Sequence, residues 1–269
     1  MVILKALRFA YRVLTLTLVL LLAMIMLLNI KLLSLLGKKS LTAYKQQCTQ
    51  RFMQLLCFVL PVHIKQTGKL PNLPMLWVSN HISWLDVMVI GQLQPLSFLS
   101  KAEVRNWPVF GWLAQGSGTL FIQRGQGQQN QITTQIAEYL DKGYSLVLFP
   151  EGTSTDGQSV KKFYSRLLAA SIETMVPVQP VALTYIREGK RDTITPYVGD
   201  DVFANHLLAV LWNDSFTVNI QLLKPIGVQC RTRTEASNLA YEGIRKAVAE
   251  QWLQYDPVET VAPDCQKAS

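Results

Sequence analysis

Acidic residues are missing from the first third of this chain. From position 1 to 85 there is no Asp or Glu, while ten basic residues occupy the same span: Lys5, Arg8, Arg12, Lys31, Lys38, Lys39, Lys45, Arg51, Lys65 and Lys69. The remainder carries sixteen Lys and Arg against eighteen Asp and Glu, so the whole net charge of +8 belongs to the N-terminal third. Those cations flank the most apolar segment of the chain, which suits an anionic bilayer surface better than nucleic acid, and no nucleic-acid partner is expected. Histidine is scarce, with three in 269 residues. The four cysteines (Cys48, Cys57, Cys230 and Cys265) form no C-x-x-C pair and lie near no histidine pair, so zinc and redox motifs are absent and no metal is expected. No repeat or low-complexity segment is present.

What the N-terminal third does contain is one long apolar run, "VLTLTLVLLLAMIMLLNI" at 13–30, broken only by Thr15, Thr17 and Asn29. Eighteen residues is near the lower limit for crossing roughly 30 Å of hydrocarbon. A cleaved signal peptide is disfavoured by the length of the run and by the lack of a small-residue cleavage site after it. Both flanks are basic, so charge gives no orientation. The segment spans the membrane once, dips into one leaflet, or pairs with a second helix at about 41–60 as a hairpin, the last two keeping both flanks on one side. The expected organisation is a membrane-anchoring helical region at 1–60, a catalytic domain at 61–255 and a flexible tail at 256–269.

Beyond Pro61 the pattern alternates. Short apolar runs at 75–79, 96–100, 119–122, 145–149, 178–185 and 217–222 predict strands. Helical patterns at about 83–92, 128–142, 161–173 and 234–253 lie between or after them, the last with Thr232 and Glu235 at capping-box spacing. Strands alternating with helices predict an α/β fold with a mainly parallel, mixed sheet flanked by helices. Sites in such sheets gather at the carboxyl ends of strands. Three unusual stretches fall there: "NHISWLD" at 80–86, "QRG" at 123–125 and "PEGTSTDG" at 150–157.

The first of these contains His81 and Asp86, the first carboxylate in the chain. Ser83 and Asp86 have capping-box spacing, in which Ser83 accepts from the Asp86 amide and Asp86 from the Ser83 amide. The same geometry also serves chemistry. A strand ending near Asn80 and a helix starting near Ser83 put His81 in the intervening turn, where it can meet a carboxylate in the first helical turn. An Asp bonded to one imidazole nitrogen fixes the tautomer and leaves the other as a general base. An internal nucleophile is harder to find. "GTSTDG" approaches a G-x-S-x-G elbow around Ser154, but Asp156 replaces the last glycine and only His206 follows in the chain. A serine esterase and a non-catalytic lipid-binding protein stay as alternatives on these residues alone.

Together the motifs resemble the glycerolipid acyltransferases, the lysophosphatidic acid acyltransferase superfamily. "NHISWLD" is similar to their N-H-x-x-x-x-D block, "GTLFIQR" (118–124) to the second, "FPEGTST" (149–155) to the third and "VPVQPVAL" (176–183) to the fourth, in family order. "SKAEVRNWPVFGWLA" (100–114) is also similar to the segment these enzymes carry between the first two blocks.

The resemblance implies an O-acyltransferase in which His81, held by Asp86, deprotonates a lysolipid hydroxyl that attacks the thioester of acyl-CoA or acyl-carrier protein. That thioester is a co-substrate, and no further cofactor is expected. The expected acceptor is lysophosphatidic acid, giving phosphatidic acid at the cytoplasmic face of the inner membrane, with anionic lipids as partners. Arg124 matches the arginine that grips the acceptor phosphate, and Lys101 is a second cation for it. Glu151, Gly152 and Thr153 match the third block. Backbone amides near that block or at the helix start are candidates for holding the oxyanion. One departure is plain: many phosphate-acceptor members read E-G-T-R-S there, and this chain has Ser154 in the arginine's place. Lys161 and Lys162 are the nearest cations downstream. The departure opens an alternative acceptor, lyso-ornithine lipid or another lysolipid.

Overall fold

The computed structural model describes residues 2–36, 41–102, 119–122, 129–199, 201–229 and 231–255, together with Arg105, Gly111 and Gln115. The tail at 256–269, and most of the segment between the first two sequence blocks, lie outside these residues.

Two helices come first, α1 (Val2–Leu35) and α2 (Thr42–Val59), followed by strand β1 (Val62–Thr67) and β2 (Leu76–Ser79). Helix α3 (Leu85–Gly91) leads to β3 (Ser97–Lys101) and β4 (Leu120–Ile122). Helix α4 (Gln129–Asp141), β5 (Leu146–Leu148), a 3-10 turn at Ser165–Leu168 and α5 (Ala169–Glu173) come next. The chain continues through β6 (Val178–Arg187), β7 (Lys190–Arg191), α6 (Phe203–Trp212), β8 (Phe216–Leu222) and α7 (Arg233–Tyr255).

The strands form one sheet of order β1-β8-β6-β2-β5-β3-β4, with β7 paired to β6. Strands β6, β2, β5, β3 and β4 run parallel, and β8 runs antiparallel to β6. The predicted mixed, mainly parallel sheet is therefore present. Strand β2 lies between β5 and β6, so the loop leaving its carboxyl end is flanked by the loops leaving both neighbours.

Pleating divides the core in two, because successive side chains of a strand face opposite sides. Trp77, Val147, Val181, Leu183 and Phe216 pack with Leu16, Leu56, Leu85 and Leu211 from α1, α2, α3 and α6 on one face. Leu76, Val78, Leu146, Leu148 and Ala182 pack with Ile136, Leu140, Ala236, Ala240 and Ile244 from α4 and α7 on the other. In α7 the buried positions Ala236, Ala240, Ile244, Ala247 and Val248 follow helical spacing. Its capping box closes as expected: the Glu235 amide donates to Thr232 Oγ1 at 3.2 Å and the Thr232 amide to Glu235 Oε2 at 2.7 Å. Helix α3 ends at Gly91, where a Cβ would meet the Met53 and Phe98 side chains at 3.1 Å, so glycine lets α3 sit this close to α2 and β3 without shifting them.

Sequence patterning misses three elements, β1, α6 and the two-residue β7, and overextends a helix. Strand β1 is a largely exposed edge strand with no apolar run to mark it. Helix α6 is a ten-residue apolar segment whose period does not separate helix from strand. The helix expected over 161–173 is confined to 165–173, and 158–164 is irregular.

Candidate active site

Strand β2 ends at Ser79, and Asn80 extends its ladder with a side chain in place of backbone. The Asn80 Nδ2 donates to the Leu183 carbonyl at 3.0 Å and its Oδ1 accepts from the Leu183 amide at 2.8 Å. The chain then turns through His81 into α3, and Asp86 falls in the first helical turn. His81 Nδ1 and Asp86 Oδ2 are 2.7 Å apart. The same oxygen accepts the Ile82 amide at 2.7 Å and the Ser83 amide at 3.0 Å, and Asp86 is fully buried.

Capping and pairing thus reside in one carboxylate, with a correction to the expected box. Asp86 reaches back to the Ser83 amide, but Ser83 Oγ is buried without a hydrogen-bond partner among the described residues. The Asp86 amide bonds the Ser83 carbonyl instead. Two amides at the helix start are spent on Asp86, which removes Ile82 and Ser83 as oxyanion donors.

The imidazole is braced on its other sides. Its ring stacks on Phe149, with centroids 4.2 Å apart and planes 19° from parallel. The His81 amide donates to Glu151 Oε1 at 2.8 Å, and the Thr155 amide donates back to the His81 carbonyl at 2.9 Å. Glu151 Oε2 takes the Lys161 amide at 2.8 Å, so this buried carboxyl ties the third block to the turn. Burial pushes the Glu151 carboxyl up to about 7, partly offset by the two amides that favour its ionised form. With Nδ1 committed to Asp86 and the backbone clamped, His81 Nε2 makes no hydrogen bond among the described residues, and a fifth of the side chain is exposed.

The remaining predicted residues fall as follows. Gly152, at φ 72°, makes the tight turn of the third block, and Thr153 is exposed at its tip. Lys101 closes β3 at the same carboxyl edge, but its side chain and the whole of Arg124 lie outside the described residues. Ser154, the esterase candidate, donates its hydroxyl to the Tyr197 carbonyl. His206 accepts from Trp84 Nε1 at 3.0 Å and meets the Pro196 carbonyl at 3.1 Å. No bond joins Ser154 to a histidine among the described residues. Lys161 and Lys162 are exposed on the irregular stretch.

Tyr185 is a residue that sequence patterning missed. Its hydroxyl donates to Asp86 Oδ1 at 2.6 Å. Strand β6 is buried along nine of its ten residues, so no alternation singles out this one position.

Residues 61–184 match the family model described as Acyltransferase. The chain is 45% identical to the lyso-ornithine lipid O-acyltransferase of Pseudomonas aeruginosa, over 77% of this chain and 80% of that protein. It is 28% identical to the 1-acyl-sn-glycerol-3-phosphate acyltransferase of Neisseria gonorrhoeae, over 64% and 68% of the two chains. The crystal structure of the 1-acyl-sn-glycerophosphate (LPA) acyltransferase, PlsC, from Thermotoga maritima has the same fold, with a TM-score of 0.69 over 93% of this chain and 96% of that one at 19% identity.

Proposed function

This chain belongs to the glycerolipid acyltransferase superfamily as a lysolipid acyltransferase, and from that premise we propose that His81 and Asp86 are its catalytic pair and lyso-ornithine lipid its acceptor. The observation that carries the first part is the 2.7 Å bond from His81 Nδ1 to a fully buried Asp86, which leaves Nε2 as the base. His81 Nε2 takes the proton of the acceptor hydroxyl as its oxygen attacks the thioester carbonyl of acyl-CoA or acyl-carrier protein. Asp86 stabilises the imidazolium that forms. On collapse the carbon–sulfur bond breaks, and the departing thiolate takes the proton back from His81. The products are an ester and a free thiol, and no acyl-enzyme is required.

The acceptor follows from what the third block lacks. Ser154 stands where phosphate-acceptor members carry arginine, and its hydroxyl is engaged with Tyr197. An ornithine headgroup carries an ammonium and a carboxylate in place of a phosphate. It therefore has less need of that cation. Relatives at 45% identity from Pseudomonas aeruginosa and 31% from Brucella abortus are both lyso-ornithine lipid O-acyltransferases. Arg124 and Lys101 are left as the cations for the headgroup's anionic part, with Glu151 and Gly152 shaping the turn beside it. A soluble donor thioester supports a site at the cytoplasmic face of the inner membrane. Anionic lipid there meets exposed Lys31 and Arg51, while Lys5 and Arg8 pair with Asp214 and Arg12 is buried.

Purified protein assayed with lyso-ornithine lipid and lysophosphatidic acid side by side is expected to acylate the first in preference. Equal or faster turnover of lysophosphatidic acid overturns the acceptor. His81→Ala is expected to lower transfer by about 10²–10⁴-fold with folding and vesicle binding intact. Unchanged transfer removes the pair from the mechanism.

A further inference from the structure

A carboxylate with no exposed surface needs donors on both oxygens, because burying an unpaired charge is costly. Asp86 divides them unevenly. Oδ2 takes His81 Nδ1 and the amides of Ile82 and Ser83, all from its own turn. Oδ1 takes one bond among the described residues, from Tyr185, 99 positions away. At 2.6 Å it lies in the range of a charge-assisted O–H···O⁻ bond.

Strand register explains how the tyrosine arrives there. Strand β6 pairs with β2 up to Val181 opposite Ser79, then runs past the end of β2. Asn80 continues the pairing to Leu183. Val181, Leu183 and Tyr185 share one face of the strand, so Tyr185 is the first residue of that face to overhang the turn carrying Asp86. The ring is held against Phe216, with centroids 6.0 Å apart, and the Tyr185 carbonyl accepts the Asp192 amide at 2.9 Å. Nothing suggests that the side chain touches substrate, since it is buried beneath the pair.

We propose that Tyr185 is a positioning residue for acyl transfer: its hydroxyl fixes the plane of the Asp86 carboxylate so that Oδ2 faces His81, and stabilises Asp86 in its ionised form. The proposal rests on His81 and Asp86 being the catalytic pair. Burial, first, and the neighbouring Asp86 charge push the Tyr185 phenol well above its ordinary value, so it stays a donor throughout any working pH range. Other charged or titratable groups surround the pair: Cys57 from α2, Asp192 and Arg187 beside the β7 turn, Glu151 from the third block, and His206 behind Trp84.

Removing a donor from a carboxylate raises its affinity for a proton. In Tyr185→Phe the acid limb of the kcat/KM profile is therefore expected to move up by about half a unit or more. The expected loss in kcat is about 10- to 100-fold, the value of one hydrogen bond to a charged group. KM for acceptor and donor should stay within about twofold, as expected for an interaction realised in the transition state. In an Asp86→Asn background, Tyr185→Phe should cause no further loss.

A folded Tyr185→Phe enzyme with parental kcat and acid limb overturns the proposal, as does an equal additional loss in the Asp86→Asn background. Should the phenylalanine variant not fold, 3-fluorotyrosine at position 185 keeps the ring and strengthens the donor. It should move the acid limb down, and an unmoved limb overturns the proposal equally. If His81→Ala retains transfer, the catalytic pair itself falls. If His81→Ala is inactive while Tyr185→Phe is unaffected, only the role of Tyr185 falls.

Discussion

Asp86 meets two demands with one side chain, capping α3 and orienting His81. A carboxylate at the start of α3 is favoured by the helix dipole, and its reach back to the Ile82 and Ser83 amides pins it there. That same pinned oxygen orients His81. Glu151 does analogous work with backbone alone, tying the His81 and Lys161 amides across the turn. Its pKa near 7 in the folded chain, against 4.5 ordinarily, means that the folded state holds a proton the unfolded state releases. Between those values the folded state binds more protons, so stability falls as pH rises and the penalty is complete above about pH 7. A shift of this size corresponds to roughly 3 kcal/mol. Thermal melts at pH 5 and pH 8 should therefore show the parent losing stability across that window, while Glu151→Gln changes much less. A parent curve as flat as the variant's contradicts the assignment.

At the scale of elements, the first turns of α1 are fastened to the end of α6. Buried Arg12 donates to the Leu211 and Asn213 carbonyls at 2.7 and 2.8 Å, where the helix presents its unpaired acceptors and negative pole. Arg8 pairs with Asp214 at 2.5 Å and Lys5 lies 3.6 Å from the same carboxylate. Hydrogen bonding from Arg8, with the Lys5 charge, holds the Asp214 carboxyl below its usual range. Three cations whose spacing in the sequence pointed to lipid are thus committed within the protein. Arg12→Met keeps the apolar stem and removes both bonds, and should destabilise the chain by about 2–4 kcal/mol in detergent-based denaturant unfolding. Protease cleavage between α1 and α2 should rise in parallel. Loss of under about 0.5 kcal/mol would mean that the docking is held by packing alone.

Across the whole molecule the two faces of the sheet divide the work. One face is covered by α4 and α7, and the other by α1, α2, α3 and α6, the side on which Tyr185 and Asp86 also meet. Helix α1 buries Arg12, Leu16, Ala23 and Ile30 and leaves Leu14, Leu18, Leu21, Ile25, Leu28 and Leu32 exposed along a helical stripe. It is long and apolar enough to cross a membrane, yet its first half is packed onto the body. Exposed Phe58 on α2 and Trp212 at the end of α6 add to the same apolar surface. A surface of this extent marks membrane association. Leu18→Glu with Ile25→Glu should reduce co-flotation with vesicles by roughly tenfold or more, given the cost of charges in hydrocarbon. Undiminished flotation would place the membrane contact elsewhere.

The sequence by itself determined the acyltransferase class and the local meeting of His81 with Asp86. Strand periodicity put 80–86 and 150–157 at the carboxyl edge of a sheet, with 123–125 outside the described residues, and a five-residue spacing brought His81 to Asp86, because both signals are local. The long apolar run, the α2 hairpin partner and the Thr232–Glu235 cap were legible for the same reason. Tertiary structure decided what depends on register and docking. Tyr185 reaches Asp86 across 99 residues and Arg12 reaches Leu211 across 199. No periodicity in either segment encodes such a meeting, since the partner is chosen by which strands pair and how far one overhangs the next. Tertiary structure also decided that Lys5, Arg8 and Arg12 face the protein, because a charge pattern gives the sign of a surface but not which side of a helix is buried.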